Sequence, residues 1–253
     1  MRPLPRRLPS RSAKWAMRVA LFTPVLAILS VLAHRGSSVD TFGFLVLLAV
    51  IALLGLITLV LVIVAFHSLW TYGKRGGRRA TWALILTAIV LAPFVYAATL
   101  WFTAPLQADL STDLIDPPVF RSELAEYGDS AASIVAGELR DGYPAITGRQ
   151  YEAPLEIVLD AVLTQGELFG WRVVDRSGRI GADDELLVEF MHHTTLLAFP
   201  IETVVRITDE GDTSYLDIRS NMPDLIHDLG TNARIITEFL REIDLTLVGQ
   251  VGG

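Results

Sequence analysis

Toward the C-terminus, Arg219, Ser220, Asp228, Asn232 and Arg234 supply two guanidinium groups, a hydroxyl, a carboxylate and an amide within a short stretch. Guanidinium groups suit bidentate binding of carboxylate or phosphate. One reading therefore makes this set a ligand-binding patch at a pocket mouth, with Arg219 or Arg234 holding an anionic headgroup. The other reading makes it a structural corner. Asp228 is of the right type and place to cap a following helix, and Asn232 or Arg234 would tie the preceding loop to that helix. Capping alone accounts for Asp228.

Other candidate chemistry is thinner. His192 and His193 are neighbours on an expected strand, so their side chains point to opposite faces and cannot chelate one metal together. His227 stands beside the capping Asp228. Ser220, His192 and Asp217 have the residue types of a hydrolase triad. No G-x-S-x-G elbow is present, and Asp217 and Ser220 project to opposite faces of one strand. There is no H-E-x-x-H, P-loop or G-x-G-x-x-G. Asp183-Asp184-Glu185 reads as a solvated turn. The absence of cysteine excludes disulfides, zinc-thiolate sites, iron–sulfur clusters and thiol catalysis. No residue is assigned to catalysis, and no metal or cofactor is implied.

The elements that must position these residues follow from periodicity. A strand is expected around Ile146–Tyr151. Pro154 can open a helix, and Leu155, Val158, Leu159, Val162 and Leu163 give it one apolar face. Gly166 and Gly170 end it. Trp171–Asp175 reads as a short strand and Glu185–Phe199 as a long one. Val188, Phe190 and Leu196 lie on one of its faces, and Leu187, Met191, Leu197 and Phe199 on the other. Ile201–Thr208 and Thr213–Ser220 flank a four-residue hairpin loop. Setting Thr208 opposite Thr213 places Val205 against Leu216, Arg206 against Tyr215 and Glu202 against Arg219. A last helix after Asp228 buries Leu229, Ala233, Ile236, Leu240 and Ile243, and Gly249 to Gly253 frays. The fold class is α+β: an antiparallel sheet packed with a long C-terminal helix. By analogy, a sheet curled around that helix would be helix-grip-like and enclose a cavity.

The first hundred residues are different in kind. The 253-residue chain has a mean hydropathy of +0.44, high for a wholly soluble protein. Three apolar stretches, Trp15–Ala33, Phe42–Phe66 and Thr81–Phe102, each reach the ~20 residues that a bilayer core requires. Residues 1–103 carry 11 Lys and Arg against the single acid Asp40. The remainder carries 10 Arg against 27 acids. Basic residues crowd the N-terminus and the loop His67–Ala80, whereas the loop His34–Thr41 has only Arg35. Retention of Lys and Arg on the cytoplasmic side then places the N-terminus inside and everything after Phe102 outside. The first stretch, ending Val31-Leu32-Ala33, also fits a signal peptide. With no intramembrane charge beyond Arg18, the helices read as an anchor rather than a conduction path. The organisation is a basic N-terminus (1–14), a three-helix transmembrane anchor (15–103), a Pro-rich linker (104–121) and an outer α+β domain (122–248). Ser122–Arg140 is expected to be helical.

Two separated motifs resemble domain-of-unknown-function family 1499. Asp109-Leu-Ser-Thr-Asp-Leu-Ile-Asp-Pro-Pro-Val-Phe120 is similar to that family's post-membrane segment. Arg219-Ser220 followed by Asp228-Leu-Gly-Thr-Asn-Ala-Arg234 is similar to its C-terminal signature. Tyr143-Pro144, Gly170-Trp171, Phe199 and Val204-Val205-Arg206-Ile207 fit between them. Members often carry Ser-Arg-x-Gly after the Arg-Ser pair, where this chain has Met222-Pro223-Asp224-Leu225. The resemblance implies a fold and no activity.

Together these readings describe a multi-pass protein of the bacterial inner membrane with its acidic domain in the periplasm. The leading functional expectation is non-enzymatic binding of a lipid or other apolar ligand in the cell envelope. The alternatives are a structural subunit docking another envelope protein, and a hydrolase of unrecognised geometry. The expected partners are the lipid bilayer, such a ligand and an envelope protein. Nucleic acid is excluded because it requires a basic face.

Overall fold

A computed structural model describes residues 8–121 and 141–251 of the chain. The helix expected over Ser122–Arg140 lies outside the described residues. The chain divides into two compact units, Met1–Thr99 and Leu100–Gly253.

The first unit is built from α1 (Arg11–Arg35), α2 (Thr41–Tyr72) and α3 (Gly77–Thr103), the last residues of α3 falling in the second unit. All three are long and apolar enough to cross a membrane. At 1.5 Å per residue, α2 measures about 48 Å, well beyond a ~30 Å hydrocarbon core. Ser10 and Asp40 cap α1 and α2 through their side-chain oxygens. The helices meet through small residues: Ala13, Ala16 and Ala20 on α1, Gly55, Thr58 and Ala65 on α2, Ala80 and Ala83 on α3. In lipid no hydrophobic force drives helices together, so close backbone approach must supply the contact. A Cβ on Gly55 would stand 2.6 Å from a Leu91 methyl. The Thr23, Ser30 and Thr58 hydroxyls donate to carbonyls one turn back in their own helices. Phe44, Ile51 and Val62 are buried among the helices, whereas most large apolar side chains, among them Leu29, Leu53, Val60 and Ile63, are exposed.

The second unit contains β1 (Asp109–Ser111), β2 (Arg149–Tyr151), α4 (Leu155–Leu168), β3 (Arg172–Ser177), β4 (Glu185–His193), β5 (Pro200–Asp209), β6 (Ser214–Asn221) and α5 (Thr231–Val251). The strands form one antiparallel sheet in the order β1-β6-β5-β4-β3, and β2 also pairs with β6. β1 covers one half of the β6 edge and β2 the other. At the opposite edge β3 carries Arg172 and Arg176 and a bulge between Val173 and Asp175. Charges and bulges both discourage edge-to-edge pairing.

Helices α4 and α5 cover one face of the sheet. Leu155, Val158 and Val162 from α4 join Ile236, Phe239, Leu240 and Ile243 from α5. They bury Val188, Phe190, Val205, Ile207, Leu216 and Ile218. Every side chain in that set is less than a twentieth exposed, so the interface between sheet and helices is filled. Gly166 lies inside α4 rather than ending it, because a Cβ there would stand 2.5 Å from the Phe190 ring. Gly170, at φ 71°, lies in the turn after the helix.

Four local expectations are corrected. First, β4 stops at His193. Thr194 to Phe199 fold into a turn in which the Thr194 N–H donates to the Phe199 carbonyl and the Phe199 N–H to the Thr194 hydroxyl, both at 2.9 Å. Ala198 adopts the positive φ (59°) usually left to glycine, which is why no turn signal was visible. Leu196 is therefore exposed rather than facing the core. Second, the β5–β6 register sets Thr208 opposite Tyr215 and Asp209 opposite Ser214. That is two residues from the expected pairing. Side chains alternate with period two, so a two-residue shift keeps every residue on its face, and the apolar pattern cannot detect it. The gain is electrostatic: Arg206 now stands opposite Asp217. Third, the stretch expected as an extended tether supplies β1. Fourth, α5 continues to Val251, into the tail expected to fray from Gly249.

Candidate functional site

The second face of the sheet carries charge. Arg206 of β5, Asp217 and Arg219 of β6 and Glu189 of β4 all project there and are all buried. The chain from Thr112 to Arg121 crosses this face as a strap. Asp113 folds it locally: one carboxylate oxygen accepts from the Ile115 and Asp116 N–H groups at 2.9 and 3.0 Å. The Arg206 guanidinium then bonds Asp116, Asp113 and Asp217 at 2.9, 2.9 and 3.0 Å. Arg219, only 2% exposed, takes the two Asp109 oxygens through Nε and Nη2 at 2.9 and 2.6 Å and donates to the Pro118 carbonyl. Its guanidinium also lies over the Phe120 ring. Phe120 packs against Leu187 and Val204, and the Arg121 N–H donates to Glu189. Burial raises the Asp113 carboxyl pKa, but the two backbone N–H groups and Arg206 outweigh it and hold the group below its ordinary range. Asp109 of β1 and the strap aspartates Asp113 and Asp116 are thus the counter-ions that allow two arginines to be buried in a sheet.

A corner forms where β6 turns into α5. The Asp228 carboxylate accepts from the Gly230 N–H at 2.9 Å and the Asn232 N–H at 2.6 Å. Leu229 and Gly230 both take positive φ, 55° and 76°. Burial raises the Asp228 carboxyl pKa, against the opposing pull of those two N–H groups. Asn232, fully buried, donates from Nδ2 to the Ala108 carbonyl at 2.7 Å and accepts from the Ser220 hydroxyl at 2.9 Å. It therefore joins the start of α5 to both β6 and the segment ahead of β1.

A cleft of about 230 Å³ opens at one end of the sheet–helix layer. Trp171, Ile201, Phe169 and Ile235 are the apolar part of its lining. His192, His193, Thr194, Thr231 and Arg234 are among its polar lining, which makes up the larger part of the surface. Trp171 is sandwiched between His192, with ring centroids 4.3 Å apart, and Phe239, at 4.8 Å; both pairs are nearly parallel. His192 Nε2 lies 2.9 Å from the Thr203 hydroxyl. Burial, and secondly the charge of His193, push the His192 pKa down to about 3.

That shift predicts a pH dependence. The unfolded histidine takes a proton near pH 6.5, whereas the folded one resists until about pH 3. The stability associated with neutral His192 is complete above pH 6.5 and is lost as pH falls, by about 1.4 kcal/mol per unit. Unfolding free energies from urea titrations at pH 7.5 and pH 5 should separate by about 2 kcal/mol more in the natural protein than in His192→Phe. Equal acid sensitivity of the two would show that His192 is not held neutral.

The residues singled out in the sequence are only partly assembled. Ser220, Asp228 and Asn232 come together at the corner. Arg219 lies on the opposite face of the sheet, bound to Asp109. Arg234 points outward, two-thirds exposed and 4.0 Å from Glu238, on the cleft rim. The hydrolase residues are not arranged as a triad: Ser220 donates to Asn232, and Asp217 faces away and binds Arg206 and Thr112. Asp183 closes a turn by accepting from the Arg179 N–H. Among the described residues no group of three or more His, Asp or Glu side chains is placed to hold a metal ion. Sequence reasoning missed the pairing of Asp113 and Asp116 with Arg206 and that of Asp109 with Arg219, for which the sequence carries no local signal. It also missed the cleft, whose lining comes from β4, β5, α5 and the turns after α4 and β4.

No curated protein and no solved structure matches the chain. Residues 109–243 match the family described as "Protein of unknown function (DUF1499)". The match begins at Asp109, the first residue of β1, and ends within α5, so it spans the whole sheet and the ion network. With more than half its length accounted for in this way, the chain belongs to the DUF1499 family.

Proposed function

We propose that the second unit is a non-enzymatic binding module, held at the membrane by the three helices, that takes part of a lipid or other apolar ligand in the cleft beside Trp171. The observation that carries this reading is the cleft itself, in which Trp171, Phe169, Ile201 and Ile235 meet a larger polar surface that includes His193, Thr194 and Arg234. Ligand pockets commonly combine an apolar lining with a few oriented polar groups. At about 230 Å³ the cleft is smaller than the ~300–1,000 Å³ of pockets that enclose a whole ligand. It suits one group of a larger molecule whose remainder stays outside. The Lys and Arg distribution supports a cytoplasmic N-terminus and a periplasmic second unit in a bacterial inner membrane.

The test is native mass spectrometry of the full-length protein released from nanodiscs, beside Ile235→Trp, which fills the cleft. A stoichiometric lipid or apolar metabolite present in the natural protein and lost from the variant supports the reading. An empty natural protein, or a ligand retained equally by Ile235→Trp, overturns it.

A further inference from the structure

A chain of buried hydrogen bonds links the α5 corner to the cleft, and its direction can be worked out one atom at a time. Asn232 Nδ2 donates to the Ala108 carbonyl. A flipped amide would set two acceptors against each other, so Oδ1 must be the atom facing Ser220. Oδ1 can only accept, so the Ser220 hydroxyl donates to it at 2.9 Å. With its one proton committed, the Ser220 oxygen accepts from the Thr203 hydroxyl at 3.2 Å. The Thr203 proton is then committed too, and the Thr203 oxygen can only accept from His192 Nε2, 2.9 Å away. Ser220, Thr203 and Asn232 are fully buried, so water does not compete for these protons.

We infer that this relay locks His192 as the Nε2–H tautomer and so leaves Nδ1 as a hydrogen-bond acceptor in the wall of the cleft, which would recognise an uncharged donor group, a hydroxyl or an amide N–H, on an apolar ligand. The inference rests on the cleft reading above and adds the chemistry of the group that enters. His192 lines the cleft and is stacked flat on Trp171, and the bond from Nε2 to Thr203 fixes which edge of the ring faces the relay. Its low pKa keeps it neutral at physiological pH, which preserves the lone pair. The burial that disfavours imidazolium also disfavours a charged ligand group. Thr203, Ser220 and Asn232 are positioning residues: they fix which nitrogen carries the proton.

The test uses full-length protein in nanodiscs with ¹⁵N-labelled histidine and methyl-labelled isoleucine. The probes are n-hexanol and its isomer methyl pentyl ether, which differ in having a proton to donate. In the free protein His192 Nδ1 should resonate at the unprotonated position. Hexanol should shift it upfield, move the Ile201 and Ile235 methyl signals, and bind about tenfold tighter than the ether, the worth of one hydrogen bond. The ether should move the methyl signals alone. Thr203→Val removes the acceptor for Nε2–H, so it should populate the Nδ1–H tautomer and abolish the preference for the alcohol. A protonated Nδ1 in the natural protein, or both probes in the cleft without a shift at Nδ1, overturns this inference while leaving the cleft reading intact. If neither probe moves the methyl signals, both fall.

Discussion

Replacing Arg219 with alanine should destabilise the second unit by about 3–5 kcal/mol, the cost of leaving a buried charge without its partner. Arg219 is nearly inaccessible, and so is Asp109, which receives two of its N–H groups. Alanine would leave that carboxylate desolvated, free the Pro118 carbonyl and leave the Phe120 ring without its cation. Pulse proteolysis of the full-length protein across a urea series measures the change. The double replacement Asp109→Leu with Arg219→Met should recover most of the loss, because a buried ion pair can be exchanged for apolar side chains at little net cost. A single Arg219→Ala cost below about 1 kcal/mol would mean that the pair behaves as a surface ion pair and that the strap is not fixed by it.

Phe239→Ala should cost a similar ~3–5 kcal/mol, for a different reason. Phe239 is fully buried and lies flat on Trp171 while meeting Phe169 edge-on. Alanine would remove the ring from the centre of an interface that is otherwise filled, and the sheet behind it is too rigid to close the gap. Phe239→Leu, which retains most of the volume, should stay below about 1.5 kcal/mol. The near-ultraviolet dichroism of Trp171 should collapse in the alanine variant and persist in the leucine variant. Equal stability of the two variants would show that the aromatic stack is not part of the core.

The anchor was legible in the sequence because a bilayer allows only one solution for a run of twenty apolar residues. The inner face of the sheet was legible too: Val205, Ile207, Leu216 and Ile218 share it as alternation requires. The pairing partners were not, since alternation has no memory of a two-residue step. Nor was the end of β4, where Ala198 adopts a backbone conformation its side chain does not advertise. Of the candidate site, the corner at Asp228 could be read because capping is local. The partnership of Arg219 with Asp109 could not, since nothing near either residue points to the other. His192 looked like an ordinary strand histidine, and its tautomer depends on four residues drawn from two strands, a helix and the segment ahead of β1.

The placement of β1 against β6 has a consequence for how the domain comes into being. Asp109 and Leu110 find their partners at Asn221 and Ser220. The first strand of the domain to be synthesised must therefore wait for the last. Until β6 exists, Asp109 has no Arg219 to meet, and no strand edge is ready to receive β1. Closing a loop of that length carries an entropic cost that local helices such as α4 do not face. The strap is thus the seal of the domain, set only when nearly the whole chain is present. A chain truncated before Arg219 would leave the acidic strap solvated and loose, already marked as unfinished.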